Sequence, residues 1–258
     1  MERTVYLDDG HGMETAGKRT PAIPELNNRV IRENEFNRVV INTMKPMLER
    51  SGLRVVFSAP TDKDHPLGER VRTINNDHSA RKSKLGTANV QAVVCSVHYN
   101  AFDGKFDGEA NDPSGVSVFH HTGSTAGKKL AETVYKELIG GTEQKKRGVK
   151  TANFYVLRYT TPPAILTENG FMDNKREALL MLDEDFINEV AKETAVGICN
   201  YFGVKFVEEK KAEARVKAPE GKIYRVQLGA FSYEDNAEQL MARAKALGFE
   251  AYVKLEDR

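Results

Sequence analysis

The sequence has little cysteine, almost no net charge and no long apolar run. Two cysteines in 258 residues cannot hold a fold of this size together, and Cys95 and Cys199 both stand in apolar surroundings, so we expect buried free thiols. Thirty-eight Lys and Arg against 37 Asp and Glu leave a net charge of +1, which excludes the basic footprint of a dedicated nucleic-acid-binding protein. No apolar stretch approaches the roughly 18 residues of a membrane span, and the N-terminus lacks the apolar run of a secretory leader. We therefore expect a soluble protein made in the cytoplasm.

What the sequence contains is a regular alternation of strand-like and helix-like segments over residues 1–204. Helical spacing of apolar residues predicts helices around residues 36–48, 130–138 and 186–202, each followed by glycine. Alternating strands and helices predict an α/β fold, with a mainly parallel or mixed sheet covered by helices on both faces. The predicted strands are Arg3–Leu7, Leu53–Phe57, Asn89–Val97, Gly115–His120, Phe154–Leu157 and Ala164–Thr167.

The composition changes after residue 204. Residues 205–221 carry mixed charge without a useful apolar stripe, which is typical of a linker. Residues 222–258 then show alternation around Tyr224–Leu228, a helical face between Ala237 and Leu247, and alternation again from Ala251 to Leu255. This pattern predicts a small C-terminal βαβ unit. A run of charges at Lys145–Arg147 is interpreted as an exposed loop.

Three polar residues stand at the ends of predicted elements, where a wound α/β sheet places its active site. His11 follows the first strand between Gly10 and Gly12, and we expect those glycines to supply the sharp turn. Glu33 begins the first long helix, and His98 ends an apolar strand. Two histidines and one carboxylate form the ligand set of a catalytic zinc ion. Taken singly, each residue also fits an ordinary structural role, so this spacing leaves the metal site undecided.

A fourth polar residue, Glu168, follows the apolar segment Ala164–Thr167 and precedes a glycine by two positions. A carboxylate in that place suits a general base acting on water beside a metal ion. A solvated glutamate at the start of a loop is the alternative interpretation.

Four motifs, in order along the chain, resemble the zinc-dependent N-acetylmuramoyl-L-alanine amidases of the type 3 family. Asp8-Asp9-Gly10-His11-Gly12 resembles the opening Asp-Pro-Gly-His-Gly motif, and Glu33-Asn34-Glu35-Phe36-Asn37 resembles the helix that carries a ligand. Ser96-Val97-His98-Tyr99-Asn100 is similar to a Ser-x-His-x-Asn motif, and Thr167-Glu168-Asn169-Gly170-Phe171 to a closing Glu-x-Gly-Phe motif. The resemblance covers about residues 3 to 202.

The resemblance implies that His11, Glu33 and His98 hold Zn²⁺ and that Glu168 is the catalytic carboxylate. The implied reaction is hydrolysis of the amide between N-acetylmuramic acid and L-alanine in peptidoglycan. Spacing to the glycine that ends the helix favours Glu33 over Glu35, with Glu25 a distant third. Asp9 and Met13 replace a proline and a glycine of the family pattern, so the first loop is expected to differ in shape.

The C-terminal segment resembles the first half of a sporulation-related repeat (SPOR) domain, a peptidoglycan-binding module. The resemblance rests on Arg225–Phe231 and on the helix that ends at Gly248. One βαβ half has too little core to stand alone, so it is expected to pack on the catalytic domain or to pair in a homodimer. A packing extension with no glycan role is the alternative.

The sequence therefore favours a lytic amidase that acts on the cell wall after the membrane is breached. A phage endolysin is favoured over a mother-cell autolysin of sporulation, and the sequence does not decide between them. A non-catalytic wall-binding protein that keeps the fold, and a zinc peptidase or deacetylase, are the competing hypotheses.

Overall fold

A computed structural model describes residues 1–209, the positions Glu234, Ala237, Glu238, Leu240, Met241 and Ala244, and residues 252–255. The chain divides into two compact units, Met1–Glu209 and Lys210–Arg258. Within the part of the chain so described, none of the helices is long and apolar enough to cross a bilayer.

The first unit is built on one mixed sheet of six strands in the order β2-β1-β3-β6-β4-β5. The pairs β1–β2, β1–β3, β3–β6 and β4–β5 are parallel, and β4 runs antiparallel to β6. The predicted α/β class with a mixed sheet is confirmed. The strands are β1 (Glu2–Asp9), β2 (Arg54–Phe57), β3 (Val90–Asn100), β4 (Val116–His120), β5 (Lys146–Thr151) and β6 (Ala164–Phe171).

Helices cover both faces of the sheet, as predicted. On one face, apolar side chains of α1, α3 and α6 form the main core with alternate strand residues such as Val93 and Ile165. On the other face, a smaller apolar cluster joins Ile74 of α2 and Val156 of α4 to Val94 and Leu166. The helices are α1 (Glu33–Arg50), α2 (Leu67–Leu85), α3 (Thr125–Gly141), α4 (Tyr155–Tyr159), α5 (Lys175–Leu180) and α6 (Glu184–Phe202), with short 3-10 turns at Pro24–Leu26 and Thr87–Asn89.

The ends of α6 show how local sequence sets helix boundaries. The Asp183 carboxylate accepts a hydrogen bond from the Phe186 amide at 2.9 Å, which satisfies one of the free N–H groups of the first turn. Gly203 ends the helix in the left-handed conformation at φ 64°, which favours glycine. Cys199 near this end is buried and free, as is Cys95 in β3, and the prediction for both thiols is confirmed.

Two predictions of secondary structure within residues 1–209 are wrong. Phe154–Leu157, predicted as a strand, leads into the helix α4, because Val156 and Leu157 turn one helical face onto the smaller core. Short apolar runs do not distinguish a strand from a buried helical turn. Lys145–Arg147, interpreted as a loop, leads into β5, which pairs with β4 although its own residues carry no apolar alternation.

The C-terminal unit is described at few positions. Helical residues at 234, 237, 238, 240, 241 and 244 agree with the predicted helix, and Ala244 is buried. The predicted strand Tyr224–Leu228 and most of the predicted linker lie outside the described residues. Tyr252–Leu255, placed in the second predicted strand, have no regular secondary structure and are exposed.

Candidate metal centre

Strand register brings the predicted site residues together at one end of the sheet. Parallel pairing of β1 with β3 sets Asp9 opposite Val97, so the loop that carries His11 leaves β1 beside His98. Glu33 occupies the first position of α1. One ligand atom from each of His11, Glu33 and His98 lies within 4.8 Å of the others. Three segments remote in sequence therefore converge on one point.

His11 itself takes the unusual backbone conformation, with φ of 66°, a left-handed value that costs energy for a residue with a Cβ. The expectation that the flanking glycines supply this turn is wrong. Gly10 and Gly12 are needed for close approach instead. A Cβ on Gly10 would stand 2.0 Å from the His98 ring, and one on Gly12 would stand 2.3 Å from the backbone of Asp64.

The structure distinguishes the three candidate glutamates by their contacts. Glu33 is almost fully buried, with Oε2 3.4 Å from His11 Nε2 and Oε1 2.9 Å from His98 Nδ1. Glu35 turns away and accepts a hydrogen bond at 2.9 Å from the Arg32 amide, which completes the helix cap. Glu25 forms an exposed ion pair with Lys175. Only Glu33 of these three faces both histidines.

A short relay orients the His98 ring. His98 Nε2 lies 3.0 Å from Ser96 Oγ, and that hydroxyl donates a hydrogen bond to the buried Asp8 carboxylate. The ring therefore offers its Nδ1 atom to Glu33. Histidine ligands of metals usually anchor their second nitrogen in this way, which selects the tautomer.

A buried arginine holds the His11 loop. Arg70 is 2% exposed, and its Nη1 donates to Asp8 Oδ1 at 2.9 Å and to the Asp9 carbonyl at 2.6 Å, while Nη2 donates to the His11 carbonyl. Asp9, which replaces a proline of the family pattern, adds an ion pair with Arg38 at 2.6 Å. Burial raises the pKa of Asp9 to about 6, although both guanidinium groups act to lower it.

Glu168 stands opposite His98 in the register of β3 and β6, so its side chain lies on the same face of the sheet. The residue is partly exposed, but its Oε2 atom is buried without a hydrogen-bond partner in the described part of the chain. Desolvation is the main cause that raises the pKa of Glu168 to about 8; the nearby Glu33 also acts to raise it, whereas His98, Lys18 and Lys150 act to lower it.

The pKa values of Glu33, His98 and His11 depend on burial and on one another's charge. Burial acts to raise the pKa of Glu33, yet the hydrogen bond and charge of His98 hold it below its usual value. Burial likewise acts to lower the pKa of His98, and Glu33 raises it above the ordinary range. Desolvation lowers the pKa of His11 to about 4, so that ring is neutral at pH 7. The site therefore offers three donor groups: the neutral imidazole of His11, the buried carboxylate of Glu33 and the anchored imidazole of His98.

This donor set fits a divalent metal ion. Glu33 Oε2 is buried and finds no hydrogen-bond partner among the described residues, a situation that costs free energy unless something else binds there. Two imidazoles and a carboxylate match the ligand types of a zinc site that keeps a position open for substrate. The His11 side chain, 23% exposed, leaves the site accessible from one side.

Sequence reasoning assigned no role to Arg70 or to the residues that serve His98, although Asp8 and Ser96 stand in the motifs. Arg70 lies in α2, for which no helix was predicted, and its available signal was the segment Leu67–Arg70, which falls in the order of the family motifs. Asn34 also has a positioning role, because its amide donates to Asp9 Oδ2 at 2.9 Å and to the His11 carbonyl at 3.1 Å. The one sequence signal for the role of Asn34 was its place beside Glu33 in the second motif.

Family comparisons confirm the resemblance found in the sequence. Residues 5–200 match the N-acetylmuramoyl-L-alanine amidase family, and residues 220–258 match the SPOR domain family. The first match spans well over half of the chain and includes all of His11, Glu33, His98 and Glu168.

Individual relatives agree as well. The sporulation-specific N-acetylmuramoyl-L-alanine amidase of Bacillus subtilis (strain 168) is 27% identical over 254 residues, which cover 98% of this chain and 85% of the relative. The endolysin of Bacillus phage SPP1 is 32% identical over 206 residues, which cover 80% of this chain and 68% of the endolysin. Among solved structures, an N-acetylmuramoyl-L-alanine amidase from Clostridium difficile 630 is 27% identical and superposes with a TM-score of 0.64, over 78% of this chain and 97% of its own.

Proposed function

This chain belongs to the N-acetylmuramoyl-L-alanine amidase family, and on that premise we propose that it is zinc-dependent, with the metal held by His11, Glu33 and His98. Its activity is that of a peptidoglycan amidase, which the family and its relatives establish. The observation that carries the zinc proposal is the convergence of three donor atoms within 4.8 Å, on the side of the sheet that faces Glu168.

Glu168 is the proposed catalytic carboxylate. Bound Zn²⁺ supplies Lewis acidity, which polarises the amide carbonyl and makes water a better nucleophile. Glu168 takes the proton from the attacking water and passes it to the amide nitrogen, because an amine is a far better leaving group than an amide anion. Its desolvated carboxyl group, whose Oε2 has no hydrogen-bond partner among the described residues, is suited to hold a proton between those steps.

The ligand set is tested by metal analysis of the purified full-length protein. We expect one Zn²⁺ per chain, loss of activity on chelation and recovery on adding one equivalent of Zn²⁺. His98→Ala removes a ligand and should lose bound zinc together with activity. His65→Ala is the matched control, because His65 hydrogen-bonds Thr61 outside the site and its replacement should leave zinc content unchanged. Unaltered zinc in His98→Ala would contradict the assignment.

The bond that is cut is tested by mass spectrometry of digested cell walls. An amidase releases peptides with new L-alanine amino termini and creates no new reducing sugars. Cleavage inside the stem peptide would indicate a peptidase, release of acetate would indicate a deacetylase, and unaltered walls would indicate a non-catalytic binding protein.

We also propose that the C-terminal unit binds peptidoglycan, since residues 220–258 match the SPOR family. Purified walls should retain a catalytically inactive full-length chain more strongly than a chain that ends at Glu209. Equal retention would contradict a role in wall binding. Pairing of this unit in a homodimer stays a prediction, which sedimentation of the full chain tests.

We propose a cellular setting from how much of each relative aligns. The sporulation-specific amidase of Bacillus subtilis matches this chain across both units, whereas the endolysin of phage SPP1 matches 80% of it. This extent supports mother-cell lysis over the endolysin role that the sequence alone favoured. Immunodetection through sporulation and after prophage induction separates the two, and appearance only after induction would refute the sporulation role.

A further inference from the structure

A partly open strip of the sheet lies next to Glu168 and has no part in the metal centre. It consists of Ser117 and Phe119 on β4, Lys150 on β5 and Phe154 just before α4, and is named here the β4–β5 subsite. Ser117 pairs with Glu168 in the antiparallel register of β4 and β6, and Phe119 pairs with Lys150. Paired residues and alternate residues along a strand share a face, so these side chains lie on the Glu168 face.

The rings of Phe119 and Phe154 line this subsite. The ring centroids of Phe119 and Phe154 are 5.4 Å apart, and Phe154 is 41% exposed. The Lys150 amine stands 5.7 Å from the centroid of the Phe119 ring. An aromatic face attracts a cation and removes part of its hydration, which fixes the position of the amine.

Lys150 has unused binding capacity. Within residues 1–209 it forms no ion pair with a carboxylate, unlike Lys45, Lys128, Lys175 and Lys192. Burial and the charge of Arg147 lower the pKa of Lys150, while the Glu168 charge raises it, so the two side chains interact across the strip. A partly desolvated amine that has no carboxylate partner binds an incoming anion more strongly than a solvated surface lysine does.

Ser117, which pairs with Glu168, adds a second group without a partner. The residue is 1% exposed, and its hydroxyl finds no hydrogen-bond partner in the described part of the chain. A buried hydroxyl without a partner is costly, and natural structures keep few of them. The subsite therefore combines a cation, an unpaired hydroxyl and an apolar ring surface.

We propose that the β4–β5 subsite binds a carboxylate carried by the stem peptide, with Lys150 as the specificity-determining residue. The proposal rests on the amidase function, since the subsite adjoins Glu168, the proposed catalytic carboxylate. Sugars of the glycan strand carry hydroxyl and acetamido groups and offer no anion of comparable strength. A carboxylate beside an apolar residue matches the amine and the rings together.

Binding to the full-length Glu168→Gln protein tests the proposal without turnover. The probes are two soluble muramyl dipeptides that differ only in a free carboxylate or a carboxamide on the residue after L-alanine, titrated by calorimetry. The free carboxylate should bind about 10-fold to 100-fold more tightly, the range expected for a hydrogen bond to a charged group. Adding Lys150→Met should abolish this preference, and Lys150→Arg should restore part of it.

Lys146→Met is the matched control, because Lys146 lies on the same strand and is exposed. It should keep the preference for the carboxylate. Equal binding of the two dipeptides to the starting protein, a preference that survives Lys150→Met, or an equal loss for both probes would overturn the proposal. The probes report binding alone, so failure of the amidase function would appear separately, as the absence of new L-alanine termini in wall digests by the unmodified chain.

Discussion

The two faces of the sheet are built for different purposes. The face under α1, α3 and α6 carries the main apolar core, with side chains such as Val93, Val134 and Ile198 fully buried. The face under α2 and α4 has a smaller apolar cluster, and at the ends of β1 and β3 it gives way to charged and polar groups. The first face mainly stabilises the domain, although Asn37 and Thr194 are also buried there, whereas the polar groups at the strand ends surround the candidate site.

The buried polar groups near the site are of two kinds, those that pair with one another and those that have no partner among the described residues. Arg70, Asp8 and Asp9 satisfy one another and fix the loops. Glu33 Oε2 and Glu168 Oε2 lack partners in the described residues. The first kind is structural, and the second fits the proposed roles of Glu33 toward the metal ion and of Glu168 toward the substrate.

Glu168→Gln should have the largest effect of the substitutions considered, and it should change activity alone. The amide cannot take the proton, and loss of general acid–base catalysis costs about 100-fold to 10,000-fold in kcat. Bound zinc should be unchanged and the free energy of unfolding no lower, because burial raises the pKa of Glu168 to about 8 and already favours its neutral form, which the amide resembles. Turnover by the variant at the wild-type rate would refute the role of Glu168.

Arg70→Met should damage the fold on the polar face. It leaves the buried Asp8 carboxylate without its cation, and breaking a buried pair costs about 3–5 kcal/mol. Urea unfolding measures the loss. Arg72→Met, two positions along the same helix with its side chain 67% exposed, is the control and should change stability little. Similar stability of the two variants would show that the network is not structural.

Ile198→Ala, on the apolar face, should lower the stability of the protein and leave its activity unchanged. Removing a fully buried isoleucine from α6 costs about 2–5 kcal/mol in the free energy of unfolding. The kcat/KM of the folded protein should stay at the wild-type value, since the residue lies across the sheet from the site. Val39→Ala on the exposed side of α1 is the control. A large change in kcat/KM would show that the two faces are coupled.

Glu193 in α6 should give the smallest effect, seen as a pH dependence of stability. Burial, followed by repulsion from Glu189, raises the pKa of Glu193 to about 7. Its pKa in the unfolded chain is about 4.3, so folding favours the protonated form and stability falls as pH rises between these values. Solvent screening limits the change to about 1 kcal/mol or less. In Glu193→Gln this part of the pH dependence should vanish, whereas Glu132→Gln, at an exposed ion pair, should retain it.

Much of the scaffold was predictable from local patterns. The apolar run at Asn89–Val97 and the helical stripe at 186–202 indicated a buried strand and a covering helix, and both are present as β3 and α6. The motifs around His11 and His98 marked two points of the site. Phe154–Leu157 was predicted wrongly because a short apolar run carries no period that separates strand from helix.

What the sequence by itself determined is the alternation of elements and the kinds of side chain at their ends, since propensity and periodicity act over a few residues. Only the tertiary structure decided that Glu33 faces both histidines while Glu35 caps the helix. It likewise decided that His11 bears the left-handed turn, that Arg70 is buried beneath it, and that Lys150 stands near Glu168. These outcomes depend on strand register and helix docking, which join segments tens of residues apart and leave no local trace in the chain.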